Sequence, residues 1–250
     1  MRYIKYIVAM CLVLGGCSGA RFREYRAHVL EEYPHMTDAY TQGLFFHDGV
    51  LYETTGQWGE SSLRTVDVAS GEPLSRQNFS RKYFVEGSAI LDSTLYILTW
   101  TNKMVFLYDA ATLEYRSTIA YNREGWGLTT DGHQLIASDG SASLFFLDRE
   151  LKLIRRLPVR LNGKPVRFLN ELEWIDGKIW ANVYTTDKIV IINPEDGNVE
   201  ATVDCSGILP AQLRGPDTDV LNGIAVDAEG NIFITGKYWP RMYRIELIKK

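Results

Sequence analysis

The sequence is poor in the residues that form disulfides and bind metal ions. It contains three cysteines, Cys11, Cys17 and Cys205, and two of them lie within the first 17 positions. Its four histidines are His28, His35, His47 and His133. They lack the close spacing of metal ligands. We therefore expect neither an internal disulfide nor a metal site, so that folding must depend on a hydrophobic core.

An excess of one charge is also missing. The chain has 27 Lys and Arg residues against 31 Asp and Glu residues, a formal net charge of -4, and no long basic run. The electrostatic footprint of a nucleic-acid-binding protein is therefore absent. The nucleophile motif G-x-S-x-G does not occur either, which argues against a serine hydrolase.

Aromatic residues and glycine, by contrast, are frequent. The 250 residues include 14 Tyr, 10 Phe, 6 Trp and 21 Gly, and 46% of the chain is hydrophobic. Aromatic side chains favour strands and glycine permits tight turns, so this composition indicates many short strands. The length suits a closed all-β architecture with one sizeable core.

The N-terminal stretch MRYIKYIVAMCLVLGGC has the features of an export signal. Two basic residues precede a short apolar run that ends at Leu14, and small residues follow, as in secretory signals. The tetrapeptide ending at Cys17 resembles a bacterial lipobox, in which the cysteine is lipidated and becomes the first mature residue. The alternative is a cleaved signal with an incidental cysteine. We expect a signal peptide over residues 1–16, a lipidated tether over 17–23 and one domain over 24–250.

The residue after Cys17 is serine rather than aspartate, which by lipoprotein sorting habit favours the outer membrane. Acyl chains on Cys17 would satisfy the two-signal requirement for stable anchoring. We therefore expect a monomeric, lipid-anchored protein of the bacterial cell envelope. In the folded domain Cys205 would then be the one thiol.

Five segments repeat at a period of about 40 to 50 residues, a spacing typical of propellers. They open with YTQGLFF, FVEGSAI, EGWGLTT, FLNELEW and DVLNGIAV. Each continues through a turn, often Asp-Gly, into a second and a third strand, and the first four add a fourth strand. Repeated antiparallel meanders of this kind predict a five-bladed β-propeller. A β-sandwich is the alternative, but it does not explain the repetition.

The last repeat stops after three strands, near Leu247. The segment EYRAHVLEEY, from Glu24 to Tyr33, precedes the first repeat and has no other role in the pattern. We predict that it pairs into the last blade, because strands from both termini would then close the ring and leave no open edge.

The innermost strands of a propeller line its central channel, so the residues that open these strands meet at one mouth. These positions, with the ends of the second strands, hold Tyr40, Gln42, Phe84, Glu86, Trp100, Trp126, Asn170, Glu171, Tyr184, Asn222 and Lys237. An aromatic cup with a few convergent polar groups is the usual form of a small-ligand site. Glu86 is notable because a carboxylate in the apolar run FVEGSA is costly unless something uses it.

The motifs YTQGL, FVEGSA, LTW, EGWGL, LNELEW, VLNGIA and TGKYWP occur in this order. Together they resemble the plant-type glutaminyl cyclotransferases over residues 24–247. The resemblance implies a five-bladed propeller that converts the N-terminal glutamine of peptides and proteins to pyroglutamate and releases ammonia. It also implies that the reaction needs no catalytic metal and no other cofactor.

The resemblance further implies the roles of individual residues. Glu86 would be the general acid and base, and Asn170 and Lys237, with Gln42, would hold the substrate and stabilise the developing oxyanion. The remaining predicted substrate contacts are Tyr40, Phe84, Trp100, Trp126, Tyr184 and Asn222. Tyr184 stands where the family often has tryptophan, a departure that bears on efficiency and substrate preference rather than on the reaction type.

Two other functions fit the same aromatic cup. One is a non-catalytic surface propeller that binds peptides or glycans, and the pairing of Glu86 with Lys237 favours the cyclase over it. The other is a calcium-dependent propeller lactonase, with ligands from Glu86, Asn170, Glu171 and Asn222. Sensitivity to chelators distinguishes the lactonase. If the site holds no metal, we expect Glu171 and Glu173 to have a structural role or to contact the side chains that form the site.

Overall fold

Strands and turns make up nearly all of the computed structural model, which describes residues 22–250. The predicted signal peptide and the lipidation site Cys17 lie outside the described residues. Within this range the one helical element is a short 3₁₀ helix, Ala211–Leu213. No helix in residues 22–250 is long and apolar enough to cross a membrane. The prediction of an all-β protein is confirmed.

The chain begins with the long strand β1 (Arg23–Pro34) and then forms successive antiparallel sheets. The first sheet consists of β2 (Thr41–His47), β3 (Val50–Thr55), β4 (Ser62–Val66) and β5 (Pro73–Asn78). The second consists of β6 (Val85–Leu91), β7 (Thr94–Thr99), β8 (Met104–Asp109) and β9 (Tyr115–Ala120). The third consists of β10 (Leu128–Thr130), β11 (Leu135–Ala137), β12 (Ser143–Leu147) and β13 (Leu153–Pro158).

A small hairpin of β14 (Arg160–Leu161) and β15 (Lys164–Pro165) precedes the remaining sheets. The fourth sheet consists of β16 (Leu169–Ile175), β17 (Lys178–Val183), β18 (Lys188–Ile192) and β19 (Val199–Asp204). The last strands of the chain are β20 (Leu221–Val226), β21 (Ile232–Gly236) and β22 (Arg241–Lys249).

Tight turns join the first two strands of the sheets. The turn at Asp48 and Gly49 has positive φ at both residues, 48° and 76°, and the turn at Asp176 and Gly177 repeats this with 49° and 72°. Two central residues with positive φ match the right-handed twist of the flanking strands, which is why Asp-Gly favours a two-residue hairpin. These two Asp-Gly pairs therefore set the register between the first and second strands of the first and fourth sheets.

Burial decreases from the first strand of a sheet to its last. Strand β6 is buried along its whole length, whereas β5, the fourth strand of the first sheet, is almost entirely exposed. The first strands β2, β6, β10, β16 and β20 each contact the first strands of the two neighbouring sheets, and β20 contacts β2. The sheets are therefore arranged in cyclic order with their first strands innermost.

Apolar clusters fill the space between neighbouring sheets. One cluster packs Leu44 and Leu51 of the first sheet against Ala225 and Phe233 of the last strands. The other clusters each lie between two sheets that are consecutive in the chain. The core is thus distributed around the ring.

Strand β1 lies between β19 and β22, the last strand of the chain. It pairs antiparallel with β22, where Tyr25 is opposite Lys249 and Pro34 is opposite Arg241. On its other side Arg23 pairs in parallel with Ala201 of β19. The strand extends one residue beyond the expected segment at each end, and it adds a fourth strand to β20, β21 and β22.

A buried ion pair fastens the end of β1. His35 is 8% exposed, and its Nε2 lies 2.9 Å from Oε1 of Glu53 on β3, while its Nδ1 lies 2.6 Å from the Trp239 carbonyl oxygen. Burial alone lowers the pKa of His35, but the Glu53 carboxylate and the Trp239 carbonyl outweigh burial and raise it above its ordinary value. His35 thus joins the end of β1 to both the first sheet and the last strands.

We expect His35→Gln to lower the free energy of unfolding by about 3–5 kcal/mol near pH 6, as when one partner of a buried ion pair is removed. The pKa of His35 is raised on folding, so its contribution is complete below the unfolded value of 6.5 and is lost as pH rises through the folded value. The gap between wild type and variant in urea unfolding should therefore shrink above pH 6.5. His28→Gln, at an exposed position of β1, is the matched control. A gap that is the same at every pH would contradict a charged His35.

Candidate active site

A cavity of about 270 Å³ opens at one end of the ring, where the innermost strands begin. Its lining residues are Tyr40, Gln42, Gln57, Trp58, Phe84, Glu86, Trp100, Trp126, Asn170, Tyr184 and Lys237. The structure therefore brings together every residue predicted to act in catalysis or to contact the substrate, except Asn222. These residues come from all parts of the chain because the ring places the equivalent ends of different sheets side by side.

Each lining side chain has an equivalent position in its sheet. Gln42, Glu86 and Asn170 are each the second residue of an innermost strand. Trp100 and Tyr184 directly follow the second strands of their sheets. Gly87, directly after Glu86, is needed for close approach, because a Cβ atom there would lie 2.6 Å from the Leu128 backbone nitrogen. The innermost strands approach each other closely here, and Glu86, just before Gly87, lines the cavity.

Two aromatic walls enclose the cavity. In the first, the ring of Phe84 lies 6.1 Å from Tyr40, 5.4 Å from Trp100 and 5.7 Å from Trp58, each in an edge-on arrangement. In the second, Trp126 and Tyr184 lie 5.7 Å apart, again edge-on. Edge-on pairs are the favoured geometry of aromatic rings. The rings of each wall therefore pack closely against one another.

Glu86 lies at the buried end of this space and is 4% exposed. Burial raises the pKa of its carboxyl well above the ordinary value, the charge of Lys237 opposes this shift, and the charge of Glu124 adds to it. Among residues 22–250 we find no hydrogen-bond donor to the carboxyl group. Its oxygens are available to a molecule in the cavity.

Lys237 provides the positive charge of the site. It is 3% exposed, and its Nζ lies 4.5 Å from the ring centre of Tyr40 and 5.0 Å from that of Tyr184. The faces of the two rings stabilise the ammonium group by cation–π attraction. Burial lowers the pKa of Lys237 to about 8, against the opposing charges of Glu86 and Asp219. The site thus pairs an acid with a raised pKa and an amine with a lowered one.

Asn222 was predicted to contact the substrate, but it is fully buried and does not line the cavity. Its Nδ2 donates to the Thr41 carbonyl oxygen at 2.9 Å and to Oε1 of Gln42 at 3.3 Å. The Thr41 oxygen can only accept, so it fixes the orientation of Asn222, and Gln42 must present its oxygen to the same amide. The amide hydrogens of Gln42 are therefore left for the cavity.

Gln57 and Trp58 follow β3 and line the cavity, although the sequence repeat did not predict them there. They lie at the end of a second strand, as Trp100 and Tyr184 do, and this position could have indicated them. The residue directly equivalent to Trp100 is Gly56, which has no side chain. A Cβ atom at Gly56 would overlap the Phe84 ring, so no side chain fits where Trp100 stands in the second sheet, and the next residues reach the cavity instead.

Glu171 and Glu173 lie deeper, on β16. The carboxylate of Glu171 accepts hydrogen bonds from the backbone nitrogens of Leu44 at 3.3 Å and Ile224 at 2.9 Å, in the first and last sheets. Glu173 accepts from the Val226 nitrogen at 3.3 Å. Glu171 thus connects its sheet to the first sheet across the axis, and Glu173 connects it to the last strands. No group of three or more His, Cys, Asp or Glu residues in the described chain is placed to hold a metal ion.

The fold and the cavity together define a β-propeller with one acid and one amine in an aromatic cavity. The WD40 β-propeller domain of Doa1 superposes with a TM-score of 0.50 at 13% identity, covering 81% of this chain and 62% of that chain. At this identity the match shows the fold alone. It favours a propeller over the sandwich alternative.

Closer relatives specify the family. The family model for glutamine cyclotransferase matches residues 4–247. A glutaminyl-peptide cyclotransferase from Arabidopsis thaliana is 40% identical over 227 residues, which cover 88% of this chain and 70% of the relative. A glutaminyl cyclase structure from Myxococcus xanthus superposes with a TM-score of 0.86 at 36% identity and covers 92% of this chain and 100% of that chain. The chain belongs to the glutamine cyclotransferase family, as its motifs predicted.

We expect Gly56→Ala to destabilise the protein by about 1–3 kcal/mol, the usual effect of overpacking, because the new methyl group would meet the Phe84 ring. Phe84→Leu should remove part of this penalty when the two changes are combined. Gly215→Ala is the control, since its Cβ atom would lie 3.8 Å from the nearest atom outside its chain neighbours. Urea unfolding measures all of these variants, and equal effects at Gly56 and Gly215 would contradict the close contact.

Proposed function

We propose that this protein cyclises the N-terminal glutamine of peptides and proteins to pyroglutamate and releases ammonia, with Glu86 as the general acid and base. The main observation that supports this function is the unpaired, buried carboxyl group of Glu86 beside Lys237 in an aromatic cavity. The Arabidopsis and Myxococcus relatives, named for this activity, support the proposal.

The reaction moves one proton between two nitrogens. The substrate's α-amine nitrogen attacks the carbon of its own γ-carboxamide, and a five-membered lactam ring forms. Glu86 accepts a proton from the attacking nitrogen and delivers it to the amide nitrogen, whose bond to carbon then breaks as ammonia leaves. One carboxyl group within reach of both nitrogens suffices, and no other acid is required.

The shifted pKa values serve this role. Burial raises the pKa of Glu86, which moves the carboxyl toward the pH range where it can both accept and give a proton. Burial in the cavity and the positive charge of Lys237 also disfavour a charged α-amine, so they promote the neutral, nucleophilic form of the substrate. The same apolar surroundings therefore activate both the catalyst and the nucleophile.

Donors around the cavity would stabilise the carbonyl oxygen of the γ-carboxamide as it gains negative charge. Gln42 offers its amide hydrogens, because Asn222 holds its oxygen. Asn170 and Lys237 also line the cavity. Donors that are already oriented need little reorganisation in the transition state, which makes them effective there.

We further propose that the five sheets are the blades of one closed propeller over residues 24–250. The cyclic contacts of the first strands and the hydrophobic cluster between the first and last sheets support five blades. The pairing of β1 with β22 supports closure by strands from both termini.

The other two functions lack comparable support. A binding protein gains little from burying Glu86 and Lys237 without a direct ion pair, since each buried charge is costly. A calcium-dependent lactonase would need free carboxylates in the channel. The Glu171 carboxylate instead bonds backbone nitrogens of two other sheets.

The direct test is to incubate the purified protein with a peptide that begins with glutamine. We expect release of ammonia and a mass decrease equal to that of ammonia, and both should persist after treatment with EDTA. A peptide that begins with asparagine controls for non-specific deamidation. Absence of turnover on every glutamine peptide would refute the proposed function, and loss with EDTA restored by calcium or zinc would refute the metal-free mechanism.

Glu86→Gln should lower kcat by about 10²–10⁴-fold, the usual contribution of general acid–base catalysis, because an amide cannot accept the proton. Substrate should still bind, and thermal stability should hold or rise slightly, since a buried carboxyl becomes a neutral group. Glu86→Asp should also lose most of the rate because the shortened side chain no longer reaches both nitrogens. Normal kcat in a well-folded Glu86→Gln variant would rule out this residue as the acid and base.

Asn222→Ala should lower kcat by about 10-fold or more, because Gln42 would lose the bond that orients its amide hydrogens toward the cavity. Asn182→Ala is a matched control. Asn182 is also a buried amide, but it bonds the Gly223 backbone nitrogen rather than Gln42. If the two variants lose stability and kcat equally, Asn222 does not act through Gln42.

We also propose that the protein is anchored to the outer membrane of the bacterial envelope through lipidated Cys17, with the cavity facing away from the bilayer. Lys237 lies at the cavity, and β22 runs from Arg241 near that end to Lys249. Strand β1 is antiparallel to β22, so Arg23 lies at the opposite end of the ring. The tether would therefore join the membrane to the face opposite the cavity.

We expect Cys17→Ala to move the protein from the membrane fraction to the soluble fraction of cells. Wild-type protein in lipid vesicles should act on a large folded protein with an N-terminal glutamine as fast as the soluble variant does. Protein that stays in the membrane after Cys17→Ala would refute the anchor. A vesicle-bound enzyme that acts on short peptides but not on the large substrate would refute the orientation.

A further inference from the structure

Trp58 stands apart from the other residues that line the cavity. It is 48% exposed, and the other lining residues are buried or half-buried. The cavity has its closed end at Glu86, which is 4% exposed, so Trp58 marks the mouth. A large apolar side chain held at the mouth of a site is available to the part of a ligand that extends out of the cavity.

The loop that carries Trp58 is held in place by its backbone. The Gln57 carbonyl oxygen accepts hydrogen bonds from the Ser61 nitrogen at 3.0 Å, the Ser61 hydroxyl at 2.8 Å and the Glu60 nitrogen at 3.2 Å. Gln57 has a φ of 85°, a strained conformation for a residue with a side chain. Such strain persists only where the surroundings enforce it, and it is frequent at ligand-binding sites. Trp58 is therefore presented from a defined loop.

The indole of Trp58 packs on the cavity wall on one side only. Its ring centre lies 5.7 Å from that of Phe84, at an interplanar angle of 71°. Phe84 is buried and also contacts Tyr40 and Trp100. The exposed part of Trp58 thus continues the apolar wall of the cavity out to the surface.

The chemistry of cyclisation fixes which part of a peptide lies near Trp58. Both reacting nitrogens of the first residue must lie near Glu86 at the closed end, so the chain can leave only through the mouth. The second residue is the first part of the peptide to reach the exposed wall. We propose that Trp58 forms the subsite for the second residue of the peptide and favours an aromatic or large aliphatic side chain there. This inference rests on the proposed function.

The test compares peptides that begin Gln-Phe, Gln-Leu and Gln-Gly and are otherwise identical, with wild type, Trp58→Ala and Trp58→Phe. We expect wild type to prefer phenylalanine and leucine over glycine. Trp58→Ala should lower kcat/KM for Gln-Phe by about 5- to 30-fold, mainly through KM, and should change Gln-Gly by less than about twofold, since glycine makes no side-chain contact. Trp58→Phe should retain most of the preference. Tyr115→Ala, at an aromatic side chain that is 56% exposed on β9, is the surface control.

Either of two results with the Trp58 variants would overturn the proposal, and so would a lack of preference in wild type. Equal loss on all three peptides would mean that Trp58 only supports Phe84, and unchanged kinetics on all three would mean that it makes no contact.

Calorimetric binding of the same peptides to Glu86→Gln protein, with and without Trp58→Ala, separates this inference from the proposed function. Tighter binding of Gln-Phe that depends on Trp58, without cyclisation by wild type, would refute the function and retain the subsite. Cyclisation of all peptides without any preference would retain the function and refute the subsite.

Discussion

The close approach of the innermost strands at the axis is the constraint on which the rest of the structure depends. A Cβ atom at Gly43 would lie 2.9 Å from the Ser88 nitrogen, and one at Gly87 would lie 2.6 Å from the Leu128 nitrogen. Glycine is required where another backbone comes this near. Where the fourth sheet has Glu171 instead of glycine, its carboxylate crosses the axis and accepts backbone hydrogen bonds from two other sheets. The cavity exists because the side chains just before these contacts converge above a floor of packed backbone.

A site built this way places charge in an apolar enclosure. Burial raises the pKa of Glu86 and lowers that of Lys237, since each charged form loses its hydration. A flexible protein would relax around such groups and lose the shifts. Here hydrophobic clusters lie between all neighbouring sheets, and the buried His35–Glu53 pair joins the end of β1 to the first sheet. The stability of the ring thus maintains the chemistry of the cavity.

Much of this arrangement could be predicted from the sequence, but some residues could not. The repeat placed Gln42, Glu86 and Asn170 at equivalent positions, because strands that recur at a fixed period must present equivalent residues at the same end of a ring. Asn222 occupies the same position but does not line the cavity. Its amide is used by the Thr41 carbonyl and Gln42, a hydrogen-bond choice that the spacing of residues does not reveal. Trp58 was missed because the position equivalent to Trp100 holds Gly56, where the Phe84 ring leaves no room for a side chain.

The sequence by itself determined the all-β fold, the family and most residues of the cavity, because these follow from local turn chemistry, strand alternation and ordered motifs. Only the tertiary structure decided which side chains reach the cavity and in what electrostatic state. Those properties depend on distances between atoms that are far apart in the chain, such as Lys237 Nζ above the Tyr40 ring at 4.5 Å. They also depend on the exclusion of water, which no single segment can bring about until all the sheets have closed around the axis.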